Sequence, residues 1–235
     1  MENNSIWVGK LKKLEPSDYT MSILPKLRIH EENVMEFLRL SASKPEHITE
    51  ILKMENNSIL IGKVNNLIFS DYAVGILPRL GIHGENEMEE LGLLAEHFEY
   101  ISEILRMENN SIRVGKMRSL VLGEHAVEIF PKLKICEEGG IEEFFMVTDN
   151  PENITEIFRT ENKNISVWIR KAKKLRLENC AMQIFHNLKF QKENVIAEIC
   201  LSADCPYHIT EMFKMENKSI QIGKVKRLEL NCYAI

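Results

Sequence analysis

The stretch Val64-Asn-Asn-Leu-Ile-Phe69 carries the pattern that decides the fold, because its first, fourth and sixth residues are apolar. We number these six residues as positions 1 to 6 of a strand motif. The motif occurs nine times in the 235 residues, and its copies begin at Leu11, Met35, Val64, Met88, Met117, Ile141, Ala172, Ile196 and Val225. Residues two apart share one face of a β-strand, so positions 4 and 6 are predicted to point into a core.

Two kinds of strand motif alternate along the chain. The interval to the next copy is 24 residues after every odd-numbered copy, and 29, 29, 31 and 29 residues after the even-numbered copies. We call the odd-numbered copies first-type strands and the even-numbered copies second-type strands. One strand of each type makes a longer repeat that starts at Met1-Glu-Asn-Asn-Ser-Ile, with equivalent starts at residues 54, 107, 160 and 215. Such units are predicted to stack so that each contacts only its neighbours.

The repeat extends from the first residue to the last, so we predict a single repeat domain over residues 1–235. Neither terminal unit has a polar cap, and in the last strand Leu228 and Leu230 have no following unit to cover them. We therefore expect this chain to be part of a longer array or to associate end to end. The fourth unit gains two residues around Asn164–Trp168, where we expect a local bulge that leaves the strands stacked.

Helical segments are predicted between the strands. After the first second-type strand, Ile48, Ile51 and Leu52 fall on one face of a helix. The segments after first-type strands are predicted to be shorter, because prolines end them at Pro25, Pro78 and Pro131. A short helix in one half of the unit and a longer one in the other would account for the two intervals. An array of helix pairs is the alternative, but its units of roughly 34–47 residues do not fit a repeat of 53.

The alternation of two strand types resembles the leucine-rich-repeat family, in its ribonuclease-inhibitor-like branch, and the resemblance covers the whole chain. It implies an α/β solenoid in the shape of a horseshoe or arc, with parallel β-strands on the concave face and helices on the convex face. The family places Asn or Cys three residues after the third apolar position, where it bonds the loop backbone. Only Cys180 matches that feature, so the other loops are expected to be built differently.

Composition and charge argue against several classes of function. Apolar residues make up 44% and charged residues 28% of the chain, with a net charge of −5, which is typical of a soluble globular protein. Positions 2 and 3 are mostly basic in first-type strands and acidic in second-type strands, so every second strand would repel phosphate. We expect no nucleic-acid partner. We also expect no membrane partner, since there is neither a long apolar run nor a secretory signal.

Reactive residues give no catalytic pattern. The five cysteines include no Cys-x-x-Cys pair, which predicts free thiols in a reducing compartment and a cytoplasmic location. His30 and His83 are repeat equivalents, so each is expected to face its own copy and not a cluster of ligands. We therefore predict no enzymatic activity, no cofactor and no metal site.

Asn-x-Ser/Thr sequons keep a secreted or cell-surface repeat protein open as an alternative. Four of the six are copies of one motif, for which we expect a role in bonding the carbonyls at helix ends. The sequons begin at Asn3, Asn56, Asn109, Asn153, Asn164 and Asn217.

Function is predicted to lie on the outward side chains of the strands. The residues at position 5 are charged at the ends of the array and apolar in its middle, and an apolar patch with a polar rim is typical of a partner site. The predicted partner-binding residues are Ile68, Gly92, Leu94, Val121, Phe145 and Val147. We expect a non-enzymatic scaffold that binds a protein or peptide on its concave face. Alternatively, the chain is the recognition segment of a larger receptor, adaptor or ubiquitin-ligase-type protein.

Overall fold

A computed structural model describes residues 4–30, 32–82, 86–135, 141–154, 172–187, 195–210 and 224–234. These residues contain fifteen strands. In chain order they are β1 (Ile6–Val8), β2 (Lys13–Leu14), β3 (Leu27–Ile29), β4 (Val34–Ala42), β5 (Ile59–Leu60), β6 (Lys63–Asp71), β7 (Leu80–Gly81), β8 (Glu87–Ala95), β9 (Ile112–Arg113), β10 (Lys116–Glu124), β11 (Leu133–Lys134), β12 (Glu143–Thr148), β13 (Lys174–Asn179), β14 (Val195–Ala203) and β15 (Lys224–Cys232).

Nine of these strands form one parallel sheet, in the order β15-β14-β13-β12-β10-β8-β6-β4-β2. Each of the nine strand motifs supplies one strand, and strands adjacent in the sheet are adjacent motifs in the sequence. Three two-stranded parallel sheets pair the short strands β1 with β3, β5 with β7 and β9 with β11. The prediction of an α/β fold with a long parallel sheet is confirmed at this level.

Equal motif positions face each other across the sheet. At position 4, Leu38 pairs with Leu67, Leu67 with Leu91 and Leu91 with Leu120. All four side chains are completely buried. Full burial of a leucine is worth about 1.5–3 kcal/mol relative to exposure, so each such row favours the in-register arrangement.

A backbone irregularity at position 2 allows both position 1 and position 4 to face the core. Positions 1 and 4 are three residues apart, so a regular strand would turn one of them outward. The carbonyl of Lys12 accepts the N–H groups of both Glu36 and Phe37, at 2.8 and 3.2 Å. One carbonyl therefore bonds two successive residues of the next strand, while adjacent strands pair with the same offset before and after position 2. As a result Met35 and Leu38, at positions 1 and 4 of the second motif, are both fully buried.

The helical segments differ from the predicted lengths. Segments after first-type strands are 3-10 helices of eight or nine residues at Asp18–Lys26, Tyr72–Arg79, His125–Lys132 and Cys180–Asn187. After second-type strands there are shorter 3-10 turns at Pro45–His47, Phe98–Tyr100 and Pro206–Ile209. Two of those turns lead into four-residue α-helices, α1 (Thr49–Leu52) and α2 (Ser102–Leu105). The apolar side chains of the segments, such as Leu24 and Ile76, join the strand leucines in one core.

The prediction of a longer second helix is therefore wrong. The additional residues of the longer interval lie in the Met-Glu-Asn-Asn-Ser turn, which separates α1 from β5. Its second asparagine has a positive φ, 59° at Asn57 and 58° at Asn110. The N–H of Asn57 donates to the carbonyl of Pro78 at 3.0 Å, and Asn110 bonds Pro131 at the same distance. The turn is thus bonded to the last turn of the following 3-10 helix.

Among the described residues, no sequon asparagine forms a side-chain hydrogen bond with a carbonyl at a helix end, contrary to expectation. Basic side chains do so instead: the Arg79 guanidinium donates to the carbonyl of Leu52 at 3.0 Å from Nη2, and Lys132 Nζ donates to the carbonyl of Met107 at 2.7 Å. Asn153 is 1% exposed, and its side-chain amide donates to Thr148 Oγ1 at 2.9 Å. That sequon is not accessible in the folded chain. The sequons at residues 3 and 164 and at residue 217 lie outside the described residues.

Buried asparagines at the start of second-type strands bond the preceding first-type strand. Asn33 accepts the N–H of Leu11 at 2.8 Å and donates to the carbonyl of Leu11 at 2.9 Å. Its repeat equivalent Asn86 accepts the N–H of Val64 at 3.1 Å. These side chains satisfy backbone groups that the irregular strand entry leaves without a strand partner.

Two places after position 6 of each first-type motif stands a residue with positive φ, and in three copies its side chain bonds the end of the next strand. Asp18 accepts the N–H of Ser43 at 2.9 Å, and Asn179 accepts the N–H of Asp204 at 2.9 Å. The predicted family feature is also present once, since the Cys180 thiol donates to the carbonyl of Asp149 at 3.2 Å. The loop contacts are therefore built mainly from the residue one place before the position that Cys180 occupies.

The additional residues of the fourth unit lie outside the described residues, so the predicted bulge remains a prediction. The sheet continues on both sides of that segment. Phe144 of β12 pairs with Leu175 of β13, and Leu175 pairs with Ile199 of β14. The expectation that the strands stay stacked is confirmed. In the described part of the chain, no helix has the length and apolar character needed to cross a membrane.

We expect the substitution Glu124→Asn to stabilise the fold. Glu124 ends β10 with φ 51°, a conformation that asparagine tolerates better than glutamate. Its carboxylate accepts the N–H of Asp149 at 3.3 Å, whereas the shorter Asn179 makes the equivalent bond at 2.9 Å. At pH 7 the free energy of unfolding, measured by urea denaturation, should increase by about 1 kcal/mol.

The gain should depend on pH. Burial raises the pKa of Glu124 above its ordinary value of 4.5. The folded state therefore binds more protons, and the wild-type protein loses stability as the pH rises from 4.5 through that raised pKa. Glu124→Gln removes the charge without relieving the backbone and should gain only the pH-dependent part. Equal effects of the Asn and Gln variants would contradict the backbone argument.

Candidate functional site

The position 5 side chains form a continuous row on the outward face of the sheet, which we call the central row. Its members pair strand by strand, in the order Arg39, Ile68, Gly92, Val121, Phe145, Arg176, Cys200 and Glu229. Ile68, Val121 and Phe145 are partly exposed, as expected of side chains on an open face. The predicted alignment of these residues across the strands is confirmed.

Leu94 and Val147 belong to a second row, two residues further along their strands. They flank Gly123, which pairs with both. A Cβ at Gly123 would lie 2.7 Å from Leu94 Cδ2, so the leucine side chain covers the glycine. Leu94 is 38% exposed and extends the apolar surface of the central row.

A depression of about 370 Å³ crosses the outward face between β8 and β15, and we call it the groove. Its lining residues come from positions 3 and 5 of successive strands, with two core residues below. They are Glu90, Ser119, Val121, Glu143, Phe144, Phe145, Lys174, Leu175, Arg176, Glu198, Cys200 and Glu229. Of the six predicted binding residues, only Val121 and Phe145 line the groove. Ile68, Gly92, Leu94 and Val147 lie beside it on the same face.

Phe145 and Arg176 form the centre of the groove. The guanidinium carbon of Arg176 lies 5.1 Å from the centroid of the Phe145 ring, which is the distance of a cation–π contact. Nε of Arg176 also donates to Glu178 at 2.6 Å. The arginine is therefore held over the ring by a carboxylate on its own strand, and one face of the phenylalanine is covered.

Burial disfavours the thiolate form of two cysteines near this face. Burial raises the pKa of Cys200, which lines the groove. Burial also raises the pKa of Cys180, the residue that directly follows β13, to about 11. Because the thiolate is the reactive form, neither side chain is activated. The four described cysteines are all free, as the sequence predicts.

Charged side chains on the outward face pair across strands, as the alternation of basic and acidic positions predicts. Lys12 contacts Glu36 at 2.8 Å, and Lys174 contacts Glu143 at 3.1 Å. Glu142 lies between Lys173 at 2.6 Å and Arg118 at 3.1 Å. The hydrogen bond from Lys173 holds the pKa of Glu142 below its ordinary value of 4.5. Most of the charge at positions 2 and 3 is thereby neutralised within the protein.

Histidines contact single carboxylates or rings. His47 Nδ1 lies 3.0 Å from Asp18, and His125 Nδ1 lies 2.8 Å from Glu128. His30 packs edge-on against Trp7, with ring centroids 5.8 Å apart. Among the described side chains, no group of three or more His, Cys, Asp or Glu is arranged to hold a metal ion. His83 lies outside the described residues.

Comparison with known proteins gives no match to a family model, to a curated protein or to a solved structure.

The charge pattern at positions 2 and 3 is compatible with two interpretations, neutralisation between strands or a zwitterionic groove for a charged peptide. It does not single out Glu90 and Glu198, which occupy position 3 and line the groove. Their side chains reach the groove because position 3 shares its face with position 5. The alternation of strand side chains between two faces predicts that positions 3 and 5 share a face. It does not predict which charged side chains on that face form ion pairs.

The triad around Glu142 predicts a difference between two glutamates at the same motif position. Glu142→Gln should lower the free energy of unfolding by about 0.5–1 kcal/mol, because two cations lose their partner. Glu89→Gln, at position 2 of β8, removes a carboxylate without a described partner and should change stability little. Chemical denaturation of both variants at low salt measures the difference.

Two further observations separate this effect from general destabilisation. Added salt should reduce the cost of Glu142→Gln, since exposed ion pairs are screened. The cost should also disappear as the pH falls through the lowered pKa of Glu142, because the stabilisation is complete above the unfolded-state pKa and is lost between the two pKa values. Equal costs for Glu142→Gln and Glu89→Gln would show that the triad adds nothing to stability.

Proposed function

We propose that this chain is a leucine-rich-repeat-type solenoid that acts as a non-enzymatic protein-binding module. In this proposal the sheet forms the concave face of an arc, the helical segments form the convex face, and a protein or peptide binds across the strands. The proposal rests chiefly on one observation, the in-register central row with its partly exposed apolar side chains beside a groove. Two cellular roles agree with such a module. The chain is either a cytoplasmic scaffold or the recognition segment of a larger receptor, adaptor or ubiquitin-ligase-type protein.

The physical argument for binding concerns the apolar part of the face. Val121 and Phe145 are neighbours on adjacent strands, and Ile68 lies on the other side of Gly92 from Val121. All three apolar side chains are partly exposed. Contiguous exposed apolar surface with a charged rim is characteristic of partner sites. Paired charges such as Lys174 and Glu143 form the rim of this apolar surface. Because each pair is neutral as a whole, the rim can shield the apolar contacts from water without repelling the backbone of a bound peptide.

Selection from a displayed library of random twelve-residue peptides tests this proposal. We expect peptides that bind the wild-type chain to lose binding to the double variant Ile68→Asp and Phe145→Asp, because two charges then enter the apolar surface. Phe98→Asp is the matched control, since Phe98 is 49% exposed and lies outside the groove. Circular dichroism should be unchanged in all variants. Binding that survives both aspartates, or a library that yields no binder, would argue against the proposal.

A second candidate role is end-to-end self-association, which the exposure of β15 favours. Leu228 and Leu230 are 50% and 38% exposed, whereas Leu175 and Leu177 at the same positions of β13 are 1% and 0% exposed. Within the described residues, β15 pairs only with β14. An unpaired edge with exposed leucines is a site for pairing with another chain.

Sedimentation velocity of the 235-residue chain tests this second role. We expect concentration-dependent association that the double variant Leu228→Lys and Leu230→Lys suppresses, because lysines at an edge oppose further pairing. Leu60→Lys is the matched control, since Leu60 is 67% exposed and belongs to β5. A chain that stays monomeric at high concentration would exclude self-association.

A further inference from the structure

The groove contains two carboxylates that the protein itself does not neutralise. Glu143 contacts Lys174 at 3.1 Å, and Glu229 contacts Arg227. The side-chain carboxylates of Glu90 and Glu198 have neither an ion pair nor a hydrogen bond with any described residue. Since most other charges on this face are paired, these two glutamates stand out as the unused charges of the groove.

The lining as a whole is also acidic. It contains four glutamates against one lysine and one arginine, which is a net charge of −2. The residues opposite Glu198 on the adjacent strands are Lys174 and Arg227, which form ion pairs with Glu143 and Glu229 instead. The Arg176 guanidinium is bonded to Glu178. A partner that enters the groove therefore meets an attractive field only if it carries positive charge.

The two unused glutamates are separated by a defined distance. Both occupy position 3, Glu90 on β8 and Glu198 on β14, with β10, β12 and β13 between them. Four intervals of about 4.8 Å place their strand positions about 19 Å apart. Glu90 Oε1 lies 3.9 Å from the site of a Cβ on Gly92, so this carboxylate leans toward the central row.

An extended peptide that crosses the strands matches this distance. Alternate side chains of an extended chain lie about 6.8 Å apart on one face, so residues i and i+6 are about 20 Å apart. Residues i+2 and i+4 then face the interval between the glutamates, where Val121 and Phe145 offer apolar surface. The spacing of charges in the groove thus corresponds to a spacing of residues in a ligand.

We propose that the groove recognises an extended segment with Lys or Arg at positions i and i+6 and apolar residues at i+2 and i+4. This inference rests on the proposed function as a peptide-binding module and adds the chemistry of the partner. Glu90 binds one cation, Glu198 binds the other, and the apolar side chains pack on Val121 and Phe145. The Arg176 guanidinium, bonded to Glu178, forms the far wall of the apolar site.

A synthetic probe tests the proposal, namely a fluorescein-labelled peptide with the core Lys-Ser-Leu-Ser-Leu-Ser-Lys flanked by Gly-Ser. We expect it to bind the wild-type chain, with polarisation that falls as salt is added. Glu90→Gln and Glu198→Gln should each weaken binding about two- to fivefold. Glu89→Gln, which lies on the same strand as Glu90 but outside the groove, should leave affinity unchanged.

Peptide variants test the spacing directly. A probe with the same composition but lysines four residues apart should bind more weakly, because it reaches only one glutamate at a time. A probe with glutamates in place of the lysines should not bind. Equal affinity for the two lysine spacings would overturn the inference.

The protein variants distinguish this inference from the proposed function. If the probe binds equally to the wild-type chain and to the Glu90→Gln, Glu198→Gln double variant but not to Phe145→Asp, the charge inference fails and the apolar site stands. If the probe binds even to Ile68→Asp with Phe145→Asp, the outward face is not the site and both fail. Absence of binding to the wild-type chain at millimolar peptide overturns the inference, and the library selection then decides the proposed function.

Discussion

Stacking of apolar side chains between neighbouring parallel strands is the interaction on which the rest of the structure depends. Leu67 and Leu91 contact their counterparts on both sides and are removed from water completely. A slip of one residue between two strands would turn these leucines outward and charged residues inward, which is prohibitively unfavourable. The register is therefore the same along the whole sheet, and every other motif position is forced to line up with its own copies.

Because of this register, residues that recur along the sequence form rows across the surface of the sheet. Position 5 becomes the central row, and position 3 becomes a parallel row of charges on the same face. Arg176 can lie over Phe145 only because adjacent strands place position 5 side by side. The charge triad of Glu142 with its two cations arises in the same way, since basic and acidic strands alternate. The groove is thus a consequence of the stacking and does not require a separate structural element.

The repeat also imposes backbone conformations that individual residues must tolerate. The backbone irregularity at position 2 lets three apolar positions of each motif face the core, although their spacing is not a multiple of two. At the ends of first-type strands, a positive φ is occupied by Asp18, Glu124 or Asn179. Each uses its side chain to bond the neighbouring strand end, which compensates for the unfavourable backbone. Copies of one position therefore share a structural task, but they carry different charges and so respond differently to pH.

The apolar pattern was sufficient to predict the nine strands, their parallel stacking order and the alignment of Ile68, Gly92, Val121 and Phe145, because periodicity at a fixed interval allows only one way to bury the repeated face. The loop contact of Cys180 was implied only by the resemblance to a repeat family, and its thiol donates to a loop carbonyl. The sequence by itself did not determine the helix lengths, because the position of Pro25 or Pro78 limits a helix without showing that the Met-Glu-Asn-Asn-Ser turn takes up the longer interval. Only the tertiary structure decided which charges on the outward face are neutralised. Glu143 and Glu198 occupy the same motif position on strands either side of β13, yet Lys174 of β13 contacts only Glu143. The Lys174 ammonium group makes its closest contact with one carboxylate, and the packing of the surrounding side chains decides which carboxylate that is. Ion pairs between strands therefore cannot be predicted from the spacing of charged residues along the chain.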